Sequence, residues 1–330
     1  MNGTRKRKYI LSLLLILLLS CNHQESQQSM AQESRQPASY VWTKVLDSAE
    51  WKKNYNFQMV SVKDTLWTLH PDGNWWSING AVWTKSTLPN AIGNLAFLDY
   101  TLLGDTVIGL GHFTGNIERY NFTPTIYKTF DYRNWTVAAE KSNLPARFFY
   151  HPFVFNSSIW IIGGEDSNTM YADCWNSTDG GIHWTKLADS LPLGKRSGSQ
   201  IVNLHDTLYL LDNDVWRSTD AIHWAKIKDE IIPGVMIFGY AALVFDGKIW
   251  LLGCNRNGQF SSQVLSSSDG VTWTPHDAPW SPRGGIAATV YRDALYMTGG
   301  KYGGLPNQPD FRYSNDVWRL ERVKTPQARQ

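Results

Sequence analysis

Cysteine is scarce, charge is sparse and long apolar runs are missing, and each shortage closes off a class of protein. Three Cys stand in 330 residues. With no CxxC or HxxxH spacing among them, a structural zinc site and a disulfide scaffold are both excluded, and no metal or other cofactor is expected. Charged residues make up only 18% of the chain against 42% hydrophobic residues, which rules out a disordered chain. The one sustained apolar run, Ile10–Leu19, is about half of what a membrane-spanning helix requires. Met is also rare, at six, whereas Trp reaches 16, Gly 26 and Pro 14. That balance suits many short strands joined by tight turns and leaves little for long helices.

The apolar run follows Arg5, Lys6, Arg7 and Lys8, so residues 1–20 read as a signal peptide. It ends in Leu18-Leu19-Ser20-Cys21, which resembles the bacterial lipobox, although Leu19 is bulkier than the usual residue there. The resemblance implies lipidation of Cys21 and a place in the cell envelope, on a bacterial membrane. Residues 22–38, rich in Gln and Ser, form a polar tether, the folded part is expected over 39–322, and 323–330 read as a disordered tail. Removing residues 1–20 leaves 27 basic against 29 acidic residues, a balance of −2 where the whole chain has +2. A near-neutral chain without a basic run has no footprint for a nucleic-acid backbone, so nucleic acid is excluded as a partner.

The rest is organised by a repeat. A Trp followed by Thr or a near equivalent recurs at Trp42, Trp83, Trp135, Trp184, Trp224 and Trp273, at intervals of 40 to 52 residues. Five of these follow a turn of one type, such as Ser177-Thr178-Asp179-Gly180-Gly181-Ile182-His183-Trp184 or Ser267-Ser268-Asp269-Gly270-Val271-Thr272-Trp273. There the acid or amide side chain can bond turn amides while Gly relieves a positive φ. Upstream lie six short apolar runs, among them Ser158–Ile162, Thr207–Leu211, Lys248–Leu252 and Ala294–Thr298, which read as buried strands. A preceding strand across a tight turn and a following DVW-like step, as in Asp214-Val215-Trp216, bring each unit to four strands. The last unit lacks its Trp strand, and Tyr40-Val41-Trp42-Thr43-Lys44 stands alone in front. The expectation is therefore an all-β, six-bladed β-propeller of four-stranded antiparallel blades, closed by the N-terminal strand.

An Arg before the first strand, an apolar strand ending in Gly-Gly, a DVW strand and a Trp strand together resemble the kelch repeat, as in the central domain of galactose oxidase. The Gly pair is intact at Gly163-Gly164 and Gly299-Gly300 only. Ser177–Trp184 is also similar to the Asp-box of sialidase-like propellers, SxDxGxxW, which in that family is a structural turn. The sialidase Arg-Ile-Pro segment is absent, and neither Cys174 nor Cys254 has the Tyr and His partners of a galactose oxidase copper site.

Counting back thirteen residues from the second-strand aromatic places Arg147, Arg196 and Arg283 in one register, at the expected mouth of the central channel. Converging guanidinium groups bind a carboxylate bidentately, so an anionic ligand is expected there. His112, Glu165, Asn255, Arg256 and Tyr302, with Asp166, Asp212 and Lys301, fall on loops of the same face, and Tyr150 and His151 lie further along the first strand. The leading expectation is a lipid-anchored propeller that binds a glycan or protein on this face without catalysis. The alternative is a carbohydrate-active enzyme of the sialic acid epimerase (mutarotase) type, less so a sialidase-like glycosidase, with Glu165 or His112 exchanging the proton.

Overall fold

The computed structural model describes residues 39–323, apart from 56, 87–98, 111, 117–118, 124, 133, 167 and 305–308. For 112–116 and 119–123 it describes the backbone alone. The chain divides into a unit spanning Val41–Glu321 and a second formed by Met1–Tyr40 with Arg322–Gln330. In the second unit the Val323 amide donates to the Ser39 carbonyl at 2.8 Å. Cys21 and the tether lie outside the described residues.

Among the described residues the larger unit holds six four-stranded sheets, five of them meanders that run in chain order outward from the first strand, together with one three-stranded and two two-stranded sheets. In the fourth blade, for example, Gln200–Leu204, Thr207–Leu211, Val215–Ser218 and Ala225–Lys228 follow one another across the sheet. The first two strands of a blade are joined by two residues. Left-handed backbone at both, as at His205 (φ 51°) and Asp206 (φ 58°), marks a turn whose twist matches that of the strands it connects. In the sixth blade the outer place beside Val317–Arg322 is taken by Tyr40–Leu46, so the first strand of the chain completes the last sheet. The inner strands of successive blades pack side by side: Gln200–Leu204 against Ala241–Phe245, that against Ala287–Tyr291, and that against Gln58–Val62.

The turn that precedes four of the repeated Trp residues ties neighbouring blades together. In the fifth blade Ser267 Oγ accepts from the Gly270 amide (2.8 Å), and Asp269 Oδ1 accepts from the amides of Val271 and Thr272 (both 2.8 Å). Trp273 Nε1 then donates to the Gly270 carbonyl at 3.1 Å. The same pattern recurs at Ser77–Trp83, Ser177–Trp184 and Ser218–Trp224. With its polar atoms satisfied inside the turn, the indole packs on the second strand of the preceding blade. Trp184 lies with Ile108 and Leu110, and Trp224 with Phe155 and Trp160. Gly270 takes a φ of 74°, and a Cβ there would meet the Tyr209 ring at 2.8 Å. The repeat length in the sequence is thus the spacing of one interblade contact.

Candidate functional site

On the face that carries the links between blades, the first residues of the inner strands surround a cavity of about 450 Å³ at the mouth of the central channel. Gln58, Asp99, Tyr150, His151, Gln200, Tyr240, Ala242 and Ala288 line it from the inner strands and the residues just before them. Its wall rises where the connection between the second and third strands is long. One hairpin, Cys254–Arg256 with Gln259–Ser261, adds Asn255 and Phe260, and another, Lys301–Tyr302 with Arg312–Tyr313, adds Lys301. The fourth blade, in which only Asp212, Asn213 and Asp214 separate those strands, has no such wall.

Three lining groups other than tyrosines titrate, and burial pushes all three toward their neutral forms. The Asp99 carboxyl, reachable from the channel but enclosed by protein, is raised well above the usual carboxylate range. Burial lowers the His151 imidazole to about 4 and also lowers the Lys301 ammonium. Asp99 and His151 have no side-chain hydrogen bond or ion pair among the described residues. Lys301 has no acidic partner there either; its ammonium sits 4.5 Å from the centre of the Tyr55 ring and 4.9 Å from that of Phe311. The Tyr150 hydroxyl, in a side chain only 3% exposed, is likewise unpartnered. Two lining aromatics face outward, Phe149 at 38% and Phe238 at 53% exposure. Donors and acceptors without such partners, with exposed rings at the rim, suit a small polar molecule with one apolar face.

A neutral buried imidazole is lost on acidification, because the unfolded chain takes up its proton at about 6.5 and the folded chain only near 4. His70, 2% exposed and also lowered to about 4 by burial, behaves in the same way. Stability is therefore expected to fall between pH 6.5 and about 4, by up to about 3 kcal/mol for His70 at about 1.4 kcal/mol per pKa unit. Urea midpoints across this range test the expectation. In His70→Gln the slope should be shallower, and an unchanged slope would contradict it.

The arginines expected to converge on the cavity do not do so, and the anion site built on them is corrected. Arg147 is 2% exposed, and its Nη1 and Nη2 donate to Asp173 Oδ1 and Oδ2 at 2.6 and 3.1 Å, with the Gly163 carbonyl as a further acceptor at 2.9 Å. Arg283 repeats this arrangement with Asp316 and the Gly299 carbonyl, and Arg196 donates to Asp214, Asp212 and the Leu193 carbonyl. The same aspartates accept the indole N–H of Trp175, Trp216 and Trp318. A buried guanidinium must be paired, and each arginine finds its carboxylate within its own blade.

Of the other expected residues, Asn255 lines the cavity, its Oδ1 accepting the Gly258 amide at 2.7 Å. Arg256 turns away to Gln263 and Cys254, Glu165 extends a backbone bridge to Phe148, and neither these two nor Tyr302 lines the cavity. The side chain of His112 lies outside the described residues. Asp99, Gln58, Phe149 and Phe238 were not singled out by the sequence. An acid opening an otherwise apolar inner strand, as Asp99 does before Tyr100-Thr101-Leu102-Leu103, was the available signal for the first of them.

Blades joined by interblade turns, with a cavity on one face, define a β-propeller. Residues 129–240 match the family model described as "DUF6242 beta propeller domain". Among solved structures, "Structure of YjhT" is similar in fold, with a TM-score of 0.65 and 13% identity over 83% of this chain and 96% of that one. Comparison with the curated proteins finds no match.

Proposed function

We propose that the protein is a lipid-anchored propeller of the bacterial cell envelope that binds a small carbohydrate-like ligand in its central cavity. The supporting observation is that Asp99, His151 and Lys301, none with a side-chain hydrogen bond or ion pair among the described residues, line one cavity whose rim exposes Phe149 and Phe238. Asp99 and His151 can hydrogen-bond hydroxyl groups, and the exposed rings can stack on the apolar face of a sugar. The lipobox-like Leu18–Cys21 supports the anchor, and the kelch-like and Asp-box-like motifs agree with the propeller.

A second reading, a carbohydrate-active enzyme of the sialic acid epimerase type, draws support from one feature. Burial raises the Asp99 carboxyl and lowers the His151 imidazole to about 4, so one cavity holds a carboxyl shifted toward its acid form and an imidazole that is the free base at neutral pH. Here they take the parts that the sequence assigned to Glu165 and His112.

The test is a thermal-shift screen of the protein with neutral sugars, uronates, free sialic acid and acidic peptides, repeated on Asp99→Asn and Phe238→Ala. A sugar-dependent rise in melting temperature that falls at least severalfold in both variants is expected. Asp99→Asn without ligand should itself melt higher, because it removes a carboxyl disfavoured by burial. A shift that survives both substitutions would place binding elsewhere. No shift with any probe would overturn the small-ligand reading, and anomer exchange measured by NMR separates binding from catalysis.

A further inference from the structure

The point where the chain enters the propeller marks a second surface. The Ala49 amide donates to the Asn315 carbonyl and Ser48 Oγ to Asn315 Oδ1, just before the cavity-side end of Val317–Arg322. The neighbouring strand Tyr40–Leu46 therefore starts at the opposite end, so the chain enters at Val41 on the face of the Trp turns. On that face the turns of the first two blades expose Ile78 at 57%, Val82 at 69% and Phe130 at 56%.

The turns that carry these side chains are tied to the neighbouring blades. Tyr291 Oη of the sixth blade donates to the Ile78 carbonyl at 2.7 Å, and Lys63 Nζ of the first blade donates to the Phe130 carbonyl of the second at 3.4 Å. The turn itself does not call for apolar residues. At the places of Ile78 and Val82 the third blade has Thr178 and His183, and the fourth has Thr219 and His223, with each His on its turn aspartate at 2.7 Å.

We infer that this region, spanning the sixth, first and second blades, rests on the surface of a lipid bilayer, with the cavity opening away from it. The inference rests on the lipid-anchored reading above. Cys21 lies twenty residues before Val41, a span of at most about 70 Å when fully extended. An anchor at that distance makes contact between the propeller and its own membrane intramolecular, so three apolar side chains and a nearby Lys suffice for a contact too weak to hold untethered.

The test uses the full lipidated chain reconstituted in vesicles of phosphatidylethanolamine and phosphatidylglycerol containing doxyl-labelled lipid. A fluorophore is attached at Val82→Cys in one preparation and at Phe238→Cys in another, with the buried Cys174 and Cys254 left in place. Quenching severalfold stronger at position 82 than at 238, and reduced by Ile78→Ser with Phe130→Ser at unchanged melting temperature, is the expected result. Equal quenching at the two positions, or quenching indifferent to the serine pair, overturns the orientation while leaving the anchor intact. Failure of the chain to float with the vesicles overturns the anchor and the orientation together. The cavity's ligand is tested separately by the sugar screen.

Discussion

Arg283→Ala is expected to lower the stability of the propeller by about 3–5 kcal/mol, the cost typical of breaking a buried ion pair from one side. The substitution leaves the Asp316 carboxylate with the Trp318 indole as its remaining side-chain donor, and strips the Gly299 carbonyl of its guanidinium partner. It also opens a hole beside Gly300, where the Arg283 stem packs so closely that a Cβ would lie 2.9 Å from its Cδ. Chemical denaturation is the measurement. A loss below about 1 kcal/mol would mean that the side chain is free to serve a ligand. Arg283→Met combined with Asp316→Leu should recover much of the loss, since paired apolar replacements remove the stranded charge. Arg147, Arg196 and Arg283 stand where the sequence led to an expectation of anion binding. In this structure alanine variants of them report on folding.

A chain beginning at Ser48, and so lacking Tyr40–Leu46, is expected to lose the closed ring. Val317–Arg322 would become an open edge, with its backbone N–H and C=O groups free to pair with another chain. Contacts between Trp42 and Trp280 (5.9 Å between ring centres) and of Lys44 Nζ over Trp318 (5.1 Å) would go with it. The expected result is a broad, non-cooperative thermal transition and concentration-dependent association in size-exclusion chromatography. A monomer with a sharp transition would show that the sixth blade holds with three strands.

The pairing of each arginine with its aspartate was present in the sequence and was not read. Arg147, Arg196 and Arg283 occur in the three blades where an Asp immediately precedes the third strand, in Asp-Cys-Trp or Asp-Val-Trp, at Asp173, Asp214 and Asp316. An acid and a base recurring in the same units is a signal of a contact inside the unit. The strand register showed that the arginines share one level of the ring, but not whether their side chains point into the channel or along the blade. That direction depends on the Gly163 and Gly299 backbone, whose left-handed φ of 66° and 72° presents a carbonyl to the guanidinium.

The sequence by itself determined the all-β class, the four-strand unit and the completion of the last sheet by the first strand. Each rests on local and repeated features: a two-residue turn, an apolar run of strand length, a Trp at a fixed distance from a Ser-x-Asp turn. Such features act over a few residues and recur, so the pattern repeats along the chain. Only the tertiary structure decided the site. Asp99, His151 and Lys301 are separated by 52 and 150 positions and belong to different blades, and they share a cavity because ring closure brings the starts of the inner strands together. Burial, which shifts Asp99 toward its acid form and His151 toward its free base, likewise exists only once the surrounding blades exclude water.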